Sequence, residues 1–103
     1  MNIQKLMKEA QKAQERVAEV QNKLSNLTTE GSSGGGLVTV KATGDGNIIG
    51  VKIEPSAIDS SDIELLEDLL VAAINDAQRK SKELQEQEMG SAMGGLGGLP
   101  GLF

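Results

Sequence analysis

The side chains of this chain best suited to binding chemistry are its ten lysines and arginines, seven of which fall into two groups far apart in the sequence. The 103 residues include no His and no Cys, which removes the commonest general base and the commonest metal ligands. Lysine and arginine keep a fixed positive charge, and such charges bind phosphate groups. The residues concerned are Lys5, Lys8, Lys12 and Arg16 in the first group, and Arg79, Lys80 and Lys82 in the second.

The charge of the chain is unevenly distributed. Its total is −5, which taken alone argues against binding to a polyanion. Residues 1–27 nevertheless hold five basic and three acidic side chains, whereas residues 59–89 hold three basic and nine acidic ones. Five of those acids precede residue 69, near the predicted start of a helix, where the helix dipole favours negative charge. Much of the acidic total therefore has a structural explanation, and the N-terminal segment is basic.

An apolar seam with heptad spacing runs through the same N-terminal segment. Successive apolar positions are three and four residues apart in alternation. A straight helix drifts away from a strict seven-residue repeat, so this spacing predicts a long helix packed along a partner helix. We expect it to begin after the N-cap Asn2, to end near Leu27, and to keep its lysines off the seam. The heptad seam consists of Ile3, Leu6, Ala10, Ala13, Val17, Val20, Leu24 and Leu27.

A glycine-rich stretch at residues 31–36 ends the helical pattern. Glycine-rich loops can bind phosphate, but that motif needs a Gly-Lys-Ser/Thr sequence, which does not follow here. A flexible connector is the better interpretation, with a short strand around residues 28–32 as a further element.

A β-hairpin is predicted next, with strands at residues 37–43 and 48–54. The dipeptide Asp45-Gly46 between them is typical of a two-residue type I′ turn. That turn makes the numbers of paired residues add up to 91, so that Val40 faces Val51. One sheet face then becomes apolar and the other mostly polar, which specifies the register. The apolar face consists of Val38, Val40, Ala42, Ile49, Val51 and Ile53.

A second long helix and a tail complete the chain. Pro55 ends the hairpin, and Ser61 with Glu64 matches a capping box for a helix that continues to about Met89. The first half of this helix is apolar over a wide arc, which requires cover from the sheet or from a partner. Residues 90–103 carry no charged side chain and mix glycine with apolar residues. We expect a mobile tail there, and the sequence leaves open whether its apolar side chains dock.

These elements predict an α+β fold with a long N-terminal helix, an antiparallel hairpin, and a long C-terminal helix. Residues 1–89 would form one domain and residues 90–103 its tail, and the thin core favours a homodimer. If the two helices are antiparallel, the residue numbers of two positions that lie level with each other add up to about 89. This places residue 10 beside residue 79. The two basic groups would then share one two-helix arm, with seven basic and three acidic residues in 1–16 and 77–84.

The ligand of such an arm is not specified by charge alone. Lysines on exposed helix faces often do no more than keep a surface solvated. If the arm does bind nucleic acid, duplex phosphates are the expected contacts. Base stacking needs aromatic rings, and the only aromatic residue of the chain is Phe103.

Two sequence blocks and the tail resemble the YbaB/EbfC family of nucleoid-associated proteins. The blocks are Gly-Gly-Gly-Leu-Val-Thr-Val at residues 34–40 and Glu-Asp-Leu-Leu-Val-Ala-Ala-Ile-Asn-Asp-Ala at residues 67–77, and the similar tail is residues 94–103. The resemblance covers essentially the whole chain. It implies a tweezer-like homodimer that binds DNA, associates with the bacterial nucleoid and contacts DNA through paired arm helices. The family supplies no fixed basic motif, so the seven site residues follow from charge alone.

We therefore expect a non-enzymatic protein whose partners are duplex DNA and a second copy of itself. No catalytic residue, cofactor, metal or small-molecule substrate is predicted, and no apolar run is long enough to span a membrane. The expected location is the cytoplasm, at the nucleoid. The main alternative is a protein-interaction module whose heptad helix recognises another helix and which binds DNA weakly or not at all.

Overall fold

The computed structural model describes residues 2–93 as two long helices around a three-stranded sheet. The elements are α1 (Ile3–Asn26), β1 (Thr28–Ser33), β2 (Val38–Thr43), β3 (Ile48–Ile53), a 3-10 turn (Pro55–Ala57) and α2 (Ile63–Met93). The sheet is antiparallel with β2 between β1 and β3. The predicted α+β class is confirmed, and the short strand expected around residues 28–32 is present as β1. Within residues 2–93, neither helix has the length and apolar content needed to cross a bilayer.

The two helices begin at side-chain caps. The Asn2 side chain accepts a hydrogen bond from the Lys5 backbone N–H at 3.3 Å, as predicted for the start of α1. At the start of α2 the predicted capping box is wrong, because the helix begins one residue later than Ser61 would require. The Asp62 side chain accepts from the Leu65 N–H at 3.1 Å, while Ser61 donates to Asp59 within the preceding turn.

The far end of α2 also differs from the prediction. The helix continues to Met93 rather than ending near Met89, so Gly90 lies inside it. The remainder of the predicted tail, residues 94–103, lies outside the described residues.

The hairpin register is confirmed over most of its length and shifts near the turn. Pairs from Val38–Ile53 to Lys41–Gly50 add up to 91, but a bulge follows and Ala42 faces Ile48 instead of Ile49. The predicted two-residue turn is wrong: the loop has three residues, closed by a hydrogen bond from the Thr43 N–H to the Asn47 carbonyl at 2.8 Å. The longer loop lets the Gly44 N–H donate to the carbonyl of Leu27, the residue after α1, at 2.8 Å.

The core lies between α2 and the first two strands. Val38, Val40 and Ala42 are fully buried against Ala73 and Ala77 of α2. The helix approaches β1 unusually closely at Gly31. A Cβ atom on that residue would lie 2.2 Å from the Ala77 nitrogen and 2.5 Å from the Ala73 carbonyl oxygen. Glycine and alanine at these positions therefore allow backbone to pack directly on backbone.

Strand β3 is left largely uncovered by this packing. Its apolar residues Ile48, Ile49 and Val51 are 39%, 55% and 47% exposed, although Val40 beside them is buried. Helix α2 crosses β1 and β2, so β3 forms an apolar sheet edge. On α2 itself, Ile63, Leu65 and Val71 are also about half exposed. The predicted wide apolar arc of α2 is therefore only partly covered within one chain.

Candidate nucleic-acid interface

The two helices run side by side only where they leave the sheet. Lys23 of α1 bonds to Glu88 of α2, with 2.7 Å between Nζ and Oε2. Leu24 is buried there, and Gln85 and Met89 line the same junction. Level positions on the two helices therefore add up to about 111. The predicted alignment, with level positions adding up to 89, is wrong.

The offset between the helices is set by the path of α2 across the sheet. The Ser81 hydroxyl donates to the Thr43 carbonyl at 2.9 Å and lies 2.7 Å from the Thr29 hydroxyl. Gln85, one turn later, donates to the Gly44 carbonyl at 2.9 Å. Residues 63–81 thus lie over the sheet, and α2 meets α1 only afterwards. Sequence reasoning missed Ser81, since its burial beside two strands has no local signature.

This geometry separates the seven predicted basic residues into two groups. Lys5, Lys8 and Lys12 lie on the exposed first half of α1, past the described end of α2. Arg79, Lys80 and Lys82 lie over the sheet, about 17–27 helix positions further along the axis from those three lysines. The prediction that both groups share one two-helix arm is wrong for that reason. Arg16 lies between them on α1 and is half-buried.

The three lysines of α1 form one stripe, which we call the lysine stripe (Lys5, Lys8 and Lys12). Intervals of three and four residues place side chains on the same helix face. The stripe spans about 10 Å along the axis at a rise of 1.5 Å per residue. It lies on the side of α1 away from the heptad seam. Among residues 2–93, no ion pair involves any of the three lysines.

The second basic group is bound to neighbouring acids. The Arg79 guanidinium lies 2.8 Å from Asp76 and 2.6 Å from Glu83. The Lys80 ammonium donates to the Glu30 carbonyl at 2.9 Å and lies 3.4 Å from Asp76. These spacings of three and four residues were readable in the sequence as intrahelical ion pairs. The positive charge of this group is therefore largely balanced where it stands, and Lys82 remains exposed.

Asp76 is the centre of that cluster. Its carboxylate accepts from the Ser32 backbone N–H at 3.0 Å, and this bond, followed by the one from Arg79, lowers its pKa to about 2. The carboxylates of Asp76 and Glu83 in turn raise the pKa of Arg79. Asp76 consequently ties β1 to α2 and remains ionised at any neutral or mildly acidic pH.

We expect Asp76→Asn to destabilise the fold in a pH-dependent way. A carboxyl whose folded pKa lies below its ordinary value of 3.8 contributes stability above about pH 4 and loses it as the pH falls toward 2. The difference in melting temperature between wild type and variant should therefore be largest at pH 7 and shrink toward pH 2. Thermal unfolding at several pH values measures it. Glu83→Gln is the matched control, and a pH-independent difference would contradict the role of Asp76.

A third basic surface lies on the sheet face away from α2. It contains Lys41 of β2 and Lys52 of β3, both exposed, with Gly50 directly opposite Lys41. Lys52 lies 3.6 Å from Glu54, and Glu30 lines the same shallow depression. Acids are thus interspersed among these lysines, in contrast to the lysine stripe.

Comparisons with known proteins agree on one family. The model of the YbaB/EbfC DNA-binding family matches residues 1–96. A nucleoid-associated protein of Acetivibrio thermocellus is 48% identical over 102 residues, covering 99% of this chain and 90% of that protein. One from Thermus thermophilus is 50% identical over 103 residues, covering 98% and 97%. The crystal structure of an uncharacterized protein from Helicobacter pylori has a TM-score of 0.75 at 23% identity, covering 84% of this chain and 91% of that one. That likeness shows the fold.

Proposed function

The chain belongs to the YbaB/EbfC DNA-binding family and is a nucleoid-associated DNA-binding protein, and from that premise we propose that it binds duplex DNA through the lysine stripe. The observation that carries the proposal is the stripe itself: Lys5, Lys8 and Lys12 are exposed, aligned and free of ion pairs within the described residues. Phosphates of the DNA backbone are the ligands that such a row of point charges suits.

The remaining predicted site residues have smaller parts in this proposal. Arg16 extends the stripe from a half-buried position, and Lys82 offers one further exposed charge over the sheet. Arg79 and Lys80 would have to leave Asp76 and Glu83 before they could bind phosphate. We therefore place the main contact on the first half of α1, whose helix projects beyond the sheet.

A homodimer is part of the proposal. The uncovered apolar edge at β3, with Ile49 and Val51 about half exposed, is a surface that monomeric proteins avoid because it promotes aggregation. A second copy placed on β3 and on the exposed apolar residues of α2 would remove it from water. Two copies would also present two arms, which doubles the number of phosphate contacts. The resulting shape is the tweezer-like dimer expected from the family.

We expect Val51→Asp to abolish the dimer, because it places a charge in the apolar surface that the second copy would cover. Val51 is 47% exposed in a single chain, so a monomeric protein would tolerate the change. Sedimentation equilibrium and thermal unfolding at several protein concentrations measure the effect. Lys52→Asp, on the other face of the same strand, is the control and should leave the dimer intact. A wild-type monomer with a concentration-independent melting temperature would contradict the proposal.

The proposal includes a nucleoid location and no enzymatic activity. Its test is a gel-shift titration on duplex DNA at two salt concentrations, in which binding should weaken steeply as salt rises. A second candidate function is a protein-interaction module. The exposed start of the heptad seam, where Ile3 is 68% and Leu6 49% exposed, favours it. A salt-insensitive protein partner with no DNA shift would establish that alternative.

A further inference from the structure

The first half of α1 stands clear of the rest of the described chain. Every residue from Asn2 to Lys12 is exposed. Level positions on the two helices add up to about 111, so α2, as far as Met93, runs beside α1 only back to about residue 18. Residues 3–17 therefore project as a single helix about 22 Å long, at a rise of 1.5 Å per residue. A helix with its side chains is about 10–12 Å wide and the major groove of B-DNA about 12 Å, so this projection fits the groove.

Two glutamines lie on the projecting helix beside the lysine stripe. Gln4 and Gln11 are seven residues apart, which places them on one face, about 10 Å from each other along the axis. With 3.6 residues per turn, that face lies about 80° around the helix from the stripe. When the glutamines face the bases in the groove, the stripe faces one wall, where the phosphates of one strand lie. Glu15, the acid on this side of α1, lies one turn further toward the sheet, at the inner end of the projection.

Neither glutamine amide has a hydrogen-bond partner within residues 2–93. The hydrogen bonds that the structure describes for side chains of α1 lie at its N-cap or in its last turn. Gln85 of α2 shows what a structural glutamine does in this fold, because its amide donates to the Gly44 carbonyl at 2.9 Å and ties the helix to the sheet. Gln4 and Gln11 have no such part in the described fold, and their donors and acceptors face outward.

The chemistry of the two residue types divides DNA recognition between them. A lysine ammonium is a point charge that suits phosphate and carries no sequence information. A glutamine amide has both a donor and an acceptor, which match the N7 acceptor and the N6 amino donor of adenine in the major groove. Base pairs are about 3.4 Å apart along the duplex, so two side chains about 10 Å apart reach bases about three steps apart.

We propose that the first half of α1 enters the major groove, where Gln4 and Gln11 contact the exposed edges of adenines while the lysine stripe binds the phosphates of one strand. This inference rests on the proposed DNA binding and adds to it the groove, the base and the residues that read the base. The stripe then supplies the salt-dependent part of the affinity, and the two glutamines supply a preference for adenine.

Two duplexes made only of A·T pairs test the inference in the full-length protein. One contains adenine, and the other contains 7-deazaadenine, which lacks the N7 acceptor and keeps the phosphates and the minor-groove edge. In gel-shift titrations at one salt concentration, we expect the wild type to bind the adenine duplex roughly fivefold or more tightly. Gln4→Ala with Gln11→Ala should bind both duplexes equally. That variant should keep the wild-type slope of log K against log salt, since a glutamine neutralises no phosphate.

Gln87→Ala is the matched control, because Gln87 is an exposed glutamine of α2 outside the projecting helix. It should retain the wild-type preference for the adenine duplex. Two results would overturn the inference and leave the proposed function standing. One is salt-dependent binding by the wild type with no difference between the duplexes, and the other is a difference that persists in the Gln4 and Gln11 variant. If the wild type shifts neither duplex even at low salt, the proposed function fails, and this inference fails with it.

Discussion

Replacing Gly31 with Ala should lower the melting temperature by roughly 10–20 °C, the effect of a few kcal/mol of overpacking in a domain of this size. The added Cβ would lie 2.2 Å from the Ala77 nitrogen and 2.5 Å from the Ala73 carbonyl oxygen. Both atoms belong to the backbone of α2, so no side chain can rotate away. The helix must move off β1, and its buried contacts with Val38 and Val40 loosen with it.

Gly90→Ala is the matched control for this substitution. Gly90 lies inside α2, and a Cβ atom there would have no atom within 4 Å apart from its chain neighbours and the nearby backbone of its own helix. The same chemical change should therefore leave the melting temperature unchanged or raise it slightly, because alanine is the better helix former. If Gly31→Ala melts with the wild type, α2 does not lie directly on β1.

Replacing Lys8 and Lys12 with Ala should remove most of the salt dependence of DNA binding. If the lysine stripe supplies three phosphate contacts per protomer, a dimer neutralises about six, and log K against log salt should have a slope near −5. The double substitution removes about four of those contacts and should flatten the slope to about −2. The melting temperature should barely change, because exposed helix lysines contribute little to folding. Gel-shift titrations at several salt concentrations measure the slope.

Lys41→Ala with Lys52→Ala is the control pair for the stripe. These lysines are also exposed but lie on the sheet, among Glu30 and Glu54. We expect a smaller change in slope than for the stripe pair. A larger effect of the sheet pair would assign DNA contact to the sheet face. No effect of either pair would favour the protein-interaction alternative.

The sequence by itself determined the elements and their faces. The heptad spacing, the N-cap Asn2 and the alternation around Val40 are local patterns with a direct physical cause, and each has its structural counterpart. The apolar face of the hairpin was readable in the same way. So was the intrahelical pairing of Arg79 with Asp76 and Glu83, which the charge count overlooked. Such features depend on residues within one or two turns of each other, or directly opposite across a hairpin.

The tertiary structure alone decided where those elements sit relative to one another. The two helices meet at Lys23 and Glu88 because α2 first crosses the sheet, held close by Gly31 and hydrogen-bonded through Ser81. No local pattern encodes the position at which the two helices meet, since it depends on backbone-to-backbone contact between residues about 45 positions apart. The offset removes Arg79 and Lys80 from the arm and leaves the lysine stripe on a helix of its own. The structure therefore keeps Lys5, Lys8 and Lys12 together and separates them from Arg79 and Lys80, because charge is readable locally and the register between distant elements is not.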